Sequence, residues 1–253
     1  MYDLWMLLLV AVLAFVYEIC DSALGQGYGT LGTPTFLLLG FSSKMVVPTI
    51  LASQAMGGLT AAFFHNRLGN ADFRNYKTGD AKKVYIIALT GIVGVVTASF
   101  VGFKVSKDVL TVYIGLIVLI MGLLILSGRT MRFSWRKFCC IGAISAFNKG
   151  LSGGGYGPVV VSGQVAIGIN SKSAIGITDL AEAPICTSGF LVWCFLQGLP
   201  QLDFLLAMCI GAVLAPPFGA WMTYRIPTQE LKKTVGIVIV ILGVLCLLKV
   251  LNP

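Results

Sequence analysis

The chain has 253 residues, of which 57% are hydrophobic and only 11% are charged, and its mean hydropathy is +0.90. Soluble domains carry about 25% charged residues, so this composition excludes an ordinary soluble enzyme or binding module. The formal net charge of +8 does not indicate nucleic-acid binding, because most Lys and Arg residues lie in short segments between apolar ones. That distribution is typical of the cytoplasmic loops of a multi-pass membrane protein.

Long uncharged stretches, such as residues 4–14, 109–126 and 235–248, predict membrane-spanning helices. The N-terminal MYDLWM lacks the basic residues that open a cleavable signal peptide. We therefore expect the first apolar stretch to be retained as a helix of an integral membrane protein, in the inner membrane of a bacterial-type cell.

The sequence contains an internal repeat centred on two glycine-rich stretches. Residues 21–44 (DSALGQGYGTLGTPTFLLLGFSSK) align without a gap with residues 149–172 (KGLSGGGYGPVVVSGQVAIGINSK), at a shift of 128 positions (149 minus 21). A weaker match at a shift of 121 relates residues 104–126 to residues 225–248. We therefore predict a single transmembrane domain made of two membrane repeats, residues 1–127 and 128–253.

Each repeat is predicted to contain five α-helical segments, the second of which is short. They are 4–24, 30–42, 45–65, 84–103 and 108–127, then 135–152, 158–170, 173–196, 203–224 and 229–250. About 12 helical residues span roughly 18 Å, which is less than the ~30 Å hydrocarbon core. The short segments are therefore predicted to be half-helices that follow a glycine-rich break, and Pro34 and Pro158 suit their first turns.

The positions of Lys and Arg favour inverted repeats with both termini outside. If the short segments complete a crossing, loops 66–83, 128–137 and 225–233 all face the cytoplasm, with five, four and three basic residues. If they do not cross, the repeats are parallel with four helices each, and loop 225–233 faces outward. The parallel arrangement stays an alternative.

The glycine breaks predict a binding site for a small anion. Glycine disfavours helix, and the backbone groups that it frees in hydrocarbon need other partners. Free N–H groups and half-helix N-termini carry partial positive charge and bind anions, and broken helices are typical of secondary transporters. The alternative is that the glycines only allow close helix packing. The predicted substrate-binding residues are Gly25, Gln26, Gly27, Tyr28, Gly29, Gln54, Asn148, Gly153, Gly154, Gly155, Tyr156, Gly157 and Gln164.

Ionisable residues inside the apolar segments are costly and usually functional. Glu18 and Asp21 lie at the end of the first helix, and Lys149 is the repeat equivalent of Asp21, so we hypothesise an Asp21–Lys149 ion pair. Asp179 and Glu182 are three residues apart and share a helix face. A carboxyl group in a low-dielectric site favours its protonated form, which makes this pair a candidate proton-coupling site. The alternative is that one carboxylate only balances a lysine.

Three further residues have weaker functional interpretations. Lys44 and Lys172 are repeat equivalents that could attract an anion to each entrance, or could extend to the membrane interface. His65 lies near a segment end and is interpreted as an interface residue, not a ligand. The cysteines lack metal-ligand spacing, and neither a metal nor a cofactor is expected.

The two glycine-rich GxGYG-like stretches, each followed by a short apolar element and an SK boundary, resemble the TauE/SafE family of sulfite exporters. This resemblance covers nearly the whole chain. It implies an integral membrane carrier of sulfur-containing anions such as sulfite, thiosulfate or organosulfonates, often linked to protons. The two halves differ, since Gln26 matches Gly154 and the Asp179–Glu182 pair occurs once, so an asymmetric site is expected.

The leading prediction is therefore a proton-coupled secondary transporter that works by alternating access. Its expected partners are a small anion, protons and the lipid bilayer, and a homodimer is left open. An anion channel is the alternative, and coupling of flux to a proton gradient distinguishes the two. No catalytic residues are expected, because no nucleophile and base converge in the sequence.

Overall fold

The computed structural model describes residues 3–25, 27–127, 135–166, 169–225, 237, 239–245 and 247–248. Within these residues all regular secondary structure is α-helical, which confirms the predicted fold class. The helices are α1 (Leu4–Leu24), α2 (Tyr28–Leu38), α3 (Ser43–Arg67), α4 (Gly79–Lys104), α5 (Lys107–Ser127), α6 (Trp135–Ser152), α7 (Gly157–Ala166), α8 (Ser171–Gln197), α9 (Leu202–Leu214) and α10 (Pro216–Arg225). Residues 237, 239–245 and 247–248 are also helical and form the C-terminal helical segment.

Five stretches are long and apolar enough to cross a membrane: α1, α3, α4, α8 and the combined α9–α10 stretch Leu202–Arg225. Their outer faces carry large exposed apolar side chains, such as Leu89 at 68% and Phe195 at 83% relative exposure. A helix with an apolar outer face and a packed inner face is suited to contact lipid. The chain is therefore a multi-pass integral membrane protein.

Two differences from the predicted helix bounds involve prolines. The predicted helix 203–224 is interrupted at Ala215 because Pro216 and Pro217 have no N–H to donate to the preceding turn. The first short helix begins at Tyr28, so Pro34 lies inside α2 and not in its first turn as predicted. The predicted segment 229–250 lies partly outside the described residues.

The first two helices form a hairpin. The Tyr17 hydroxyl donates to Thr35 Oγ1 at 3.0 Å, and the Tyr17 and Phe36 rings meet edge to face with centroids 6.5 Å apart. The chain therefore turns at the Gly25–Gly27 break and α2 returns along α1. The two predicted topologies differed in whether the short segment completes a crossing, and neither specified that it packs back along α1. In the second half α7 likewise packs against α6 and α8.

The two central helices, α3 and α8, are repeat equivalents and pack antiparallel to each other. Gly58 of α3 lies against the backbone carbonyl of Asp179 in α8. His65, which comes later in α3, lies against Gly176, which comes earlier in α8. Later residues of one helix thus meet earlier residues of the other. This crossing places the middle of both helices at the centre of the molecule.

The same contacts recur in the two halves with partners exchanged. α4 packs against α6 and α8, and its equivalent α9–α10 packs against α1 and α3. Gly122 of α5 packs against Val240, and Gly243 packs against Leu119. Residues 119 and 122 match 240 and 243 at the shift of 121. The exchange means that equivalent surfaces of the two halves face each other.

Candidate functional site

The two glycine breaks touch each other at the centre of the molecule. A Cβ atom added to Gly29 would lie 1.7 Å from the carbonyl oxygen of Gly153, and one added to Gly154 would lie 2.7 Å from the carbonyl oxygen of Gly29. Gly153 also has a φ of +75°, which L side chains rarely adopt. In this conformation these glycines allow the two backbones to approach closely. This is the role that the alternative interpretation, close helix packing, gave them.

The amide groups that the breaks free from helical bonding have partners within the protein. The Gly155 N–H donates to Thr30 Oγ1 at 3.1 Å, and the Gly154 N–H donates to Ser152 Oγ at 3.1 Å. The Tyr28 N–H, at the start of α2, donates to the Asp21 carboxylate. An anion that used these amides would have to replace a hydroxyl or carboxylate oxygen. The sequence alone did not single out Thr30 or Ser152.

A buried hydrogen-bond network lies beside the breaks, with the Gln54 side chain at its centre. Gln54 Nε2 donates to Asp21 Oδ2 at 2.6 Å and to Glu182 Oε2 at 2.7 Å. Its Oε1 accepts a hydrogen bond from the Lys149 ammonium group. These four side chains are each at most 4% exposed, and they come from α1, α3, α6 and α8. We call them the central network.

The ion-pair partner of Lys149 is Glu182 and not Asp21, so the hypothesised Asp21–Lys149 pair is wrong. Lys149 Nζ lies 3.4 Å from Glu182 Oε1, whereas Gln54 separates the lysine from Asp21. The repeat shift identified Asp21 and Lys149 as equivalent, but equivalent side chains meet only if they lie beside the symmetry axis. Gln54 and Glu182 are the equivalent residues that do meet, at the antiparallel crossing of α3 and α8.

Asp179 binds a different partner from Glu182, although the two residues are three apart in α8. Asp179 Oδ2 lies 3.1 Å from His65 Nε2, which is also 2.9 Å from the Ser22 carbonyl oxygen. His65 is fully buried, so its interpretation as an interface residue is wrong. The reason is that the loop after α3 folds back over it, and Asn70 Nδ2 lies 3.0 Å from His65 Nδ1.

The two equivalent tyrosines differ in their hydrogen bonds. The Tyr28 hydroxyl donates to Ser53 Oγ at 2.7 Å. The equivalent of Ser53 is Ala181, and the buried Tyr156 hydroxyl has no hydrogen-bond partner among the described residues. The Thr33 hydroxyl, which lies beside Gly153, has none there either. Buried polar groups without partners are rare and call for a function or an absent ligand.

Gln164 does not have the free donors that were predicted for it. Its Nε2 donates to the Ala174 carbonyl at 3.1 Å and to Thr178 Oγ1 at 2.8 Å, so the amide joins α7 to α8. Only its oxygen lacks a partner, and an oxygen repels an anion. Asn148 accepts a hydrogen bond from the Tyr113 hydroxyl.

The remaining predicted residues of the breaks shape the turns. Gly25 ends α1 with a φ of +64°, Gly27 precedes α2 with a φ of +150°, and Gly155 has a φ of +78°. Gly157 is the first residue of α7. Gln26 lies outside the described residues.

Lys44 and Lys172, the predicted entrance residues, each lie over an aromatic ring. Lys44 Nζ is 5.2 Å from the centre of the Phe103 ring, and Lys172 Nζ is 5.0 Å from that of Tyr224. Phe103 and Tyr224 match at the shift of 121, so each half has the same cation–π contact. Neither lysine joins the central network.

The buried centre contains more acidic than basic groups. Glu18, Asp21, Asp179 and Glu182 are all buried, whereas Lys149 is the only buried Lys or Arg among the described residues. Several uncompensated charges are not stable in a low-dielectric interior. The described part of the buried centre thus contains four carboxyl groups and one ammonium group.

Membrane-crossing helices that surround two broken helices and a buried network of charged residues define a multi-pass membrane protein with a polar centre. Residues 9–246 match the family described as "Sulfite exporter TauE/SafE", and the chain belongs to this family. It is also similar to a protein named "Probable membrane transporter protein YtnM" from Bacillus subtilis (strain 168). The two are 22% identical over 245 residues, which cover 91% of this chain and 79% of that protein. The protein is thus a membrane transporter and not an enzyme, as its sequence predicted.

Proposed function

We propose that the protein is a proton-coupled secondary transporter of small sulfur-containing anions, namely sulfite, thiosulfate or organosulfonates, in the inner membrane. The family description supports a sulfur oxyanion as substrate. The observation that carries the proposal is the position of Lys149, a buried cation in the central network whose backbone carbonyl accepts from the Gly153 N–H of the second break at 2.8 Å. A buried cation beside a helix break attracts an anion by charge and by the local dipoles.

Substrate binding would use Lys149 after exchange of its partner. The arriving anion would replace Glu182 at the ammonium group, since both are oxyanions of similar size. The Tyr156 hydroxyl, which is buried without a partner, would donate a hydrogen bond to the anion. The amides of Gly154 and Gly155 could follow if Ser152 and Thr30 rotate away from them.

Proton coupling follows from the charge of the buried centre. Four carboxyl groups surround one lysine, so an anion entering this region would add negative charge to an acidic site. A proton that binds to the carboxyl groups at the same time removes this cost. The expected charge network around this proton consists of Asp21, Asp179 and Glu182, with Lys149 as their counter-ion.

Alternating access would follow from inverted repeats. Equivalent helices that pack antiparallel, as α3 and α8 do, are related by an axis that lies across them, and such an axis lies in the membrane plane. With the basic loops inside, rocking of one repeat against the other would expose the contact between the breaks to each side in turn.

The test is uptake of radiolabelled sulfite into proteoliposomes that contain the full chain, with and without an imposed pH gradient. Thiosulfate and an organosulfonate serve as competitors, and protein-free liposomes serve as the control. The proposal predicts saturable uptake above the equilibrium level that follows the pH gradient. Uptake that only equilibrates sulfite would favour an anion channel, and no uptake of any sulfur anion would contradict the substrate class.

A further inference from the structure

We propose that Glu18 is the residue that binds the coupled proton, a role that rests on the proposed function and extends it. Glu18 lies in α1, three residues before Asp21, and is 1% exposed. Among the described residues it is the one buried carboxyl group with no side chain from another helix within hydrogen-bond or ion-pair distance. Its surroundings differ from those of the other three buried carboxyl groups and favour the protonated form.

The contacts of the Glu18 carboxyl group are few. Ser22 Oγ lies 3.2 Å from Glu18 Oε1 and also donates to the Glu18 backbone carbonyl at 2.7 Å. The other oxygen, Oε2, is buried and has no hydrogen-bond partner in the described part of the chain. No Lys, Arg or His side chain among the described residues lies within ion-pair distance of it. An ionised carboxylate is unfavourable in such a place, whereas a protonated one carries no charge.

Each of the other buried carboxyl groups lies against a polar side chain from another helix. Glu182 is paired with Lys149 and accepts a hydrogen bond from Gln54. Asp179 Oδ2 lies 3.1 Å from His65 Nε2. Asp21 accepts from Gln54 and from the Tyr28 amide. The contacts of Glu182 and Asp21 stabilise their ionised forms, whereas the only side chain within hydrogen-bond distance of the Glu18 carboxyl group is Ser22 of its own helix, so a proton at Glu18 replaces the least stabilised charge.

The titratable groups that face Glu18 come from three helices. They are Asp21 in α1, Tyr28 in α2, and Asp179, Glu182 and Cys186 in α8. The α3 residue against Glu18 is Gly57, which has no side chain to titrate. A Cβ atom on Gly57 would lie 2.8 Å from Glu18 Oε2. Among the described residues, all buried charged side chains lie in α1, α3, α6 and α8, so α9 and α10 add none. The acidic neighbours raise the cost of a further negative charge at Glu18.

The site exists in one half only. The repeat equivalent of Glu18 is Ala146, which packs in an apolar cluster with Val95 and Ile185. Because the hairpin of α1 and α2 carries the carboxyl group and α3 carries Gly57, movement of the hairpin relative to α3 would uncover Glu18. When the group is uncovered on one side, hydronium transfers a proton to the carboxylate, which forms an O–H bond and releases water. The covered group of this conformation carries that proton, and when it is uncovered on the other side the O–H bond breaks and the proton passes to water as hydronium.

The experiment compares the wild type with Glu18→Gln, Glu18→Asp and the control Asp108→Asn, whose target is an exposed carboxyl group at the start of α5. Each full-length variant is reconstituted in proteoliposomes that contain a pH-sensitive dye. Two quantities are measured: exchange of labelled sulfite for unlabelled sulfite at equal pH, and sulfite accumulation with its proton flux under a pH gradient. Glutamine has the shape of a protonated glutamic acid but cannot release the proton.

Glu18→Gln is expected to keep sulfite exchange within about twofold of the wild type, because the central network is intact. It should lose gradient-driven accumulation and the accompanying proton flux. Glu18→Asp and Asp108→Asn should keep both. Accumulation and proton flux in Glu18→Gln would overturn this inference alone. Loss of exchange in both Glu18 variants, in folded protein, would make the residue structural and also overturn it.

Two other outcomes distinguish failure of the Glu18 inference from failure of the proposed function. Accumulation driven by a Na⁺ gradient and lost in Glu18→Gln would show that the site binds a metal cation, which overturns the proton as its ligand. Absence of sulfur-anion exchange in the wild type would contradict the proposed function, and the inference would fail with it.

Discussion

His65 and Trp193 are 128 positions apart and make the same hydrogen bond in the two halves of the protein. His65 Nε2 lies 2.9 Å from the Ser22 carbonyl oxygen, and Trp193 Nε1 donates to the Gly150 carbonyl oxygen at 3.2 Å. Ser22 and Gly150 are themselves 128 positions apart. An indole nitrogen can only donate, so the equivalence indicates that His65 Nε2 also donates. The histidine thus fastens the end of α1 to α3, as the tryptophan fastens α6 to α8.

The first prediction is that His65 is the neutral tautomer with its proton on Nε2. Asn70 Nδ2 donates to the Ala220 carbonyl at 2.9 Å and lies 3.0 Å from His65 Nδ1, so Nδ1 is the acceptor. Since the chain has a single histidine, ¹⁵N NMR of histidine-labelled protein in detergent gives one pair of ring signals. A proton on Nδ1 at neutral pH would contradict the assignment, and protons on both ring nitrogens would make His65 a charged partner of Asp179.

The second prediction concerns the contact between the breaks. Gly29→Ala should destabilise the protein by at least about 2 kcal/mol and abolish transport, because its Cβ atom collides with backbone that cannot give way. Gly32→Ala is the matched control in the same helix, since a Cβ atom there has its nearest neighbours at 3.5 Å, an ordinary contact. The measurements are thermal unfolding in detergent and sulfite uptake in liposomes. Equal behaviour of the two variants would show that the breaks do not touch in this way.

The third prediction separates the two tyrosines. Tyr156→Phe should leave thermal stability unchanged, because the hydroxyl has no protein partner, but should raise the Kd for sulfite about tenfold through loss of one hydrogen bond to a charged group. Tyr28→Phe removes the bond to Ser53 and should instead lower stability by about 1 kcal/mol. Sulfite binding and unfolding are measured on the same preparations. Unchanged sulfite affinity in Tyr156→Phe would remove this hydroxyl from the substrate site.

The sequence predicted those features that follow from apolar length and from the repeat. The bounds of α1 and α6 agree with the prediction, because both helices end at glycine breaks. Gln54 and Glu182 are equivalent at the shift of 128, and the structure brings them into contact. The repeat also indicated that His65 is buried, since its equivalent Trp193 lies in an apolar segment. The hydrogen bond that the two residues share, which only the structure shows, identifies their role in joining helices.

Side-chain partners were not predictable in the same way. The return of α2 along α1 depends on contacts such as that between Tyr17 and Thr35, which no periodicity indicates. Lys149 had two candidate acidic partners in the sequence, and the choice of Glu182 depends on where Gln54 lies. Glu18 was visible as an intramembrane acid, yet its lack of a partner is a property of the packed structure alone.

The central claim is that the anion binds at Lys149, and equilibrium binding of radiolabelled sulfite to purified protein tests it most directly. The wild type is compared with Lys149→Gln and with the control Lys172→Gln, which removes a lysine outside the central network. Gel filtration establishes that each variant is folded. The account predicts at least about a tenfold rise in Kd for Lys149→Gln, because a charged hydrogen bond to the anion is lost, and little change for Lys172→Gln. Equal sulfite affinity in Lys149→Gln and the wild type would contradict it.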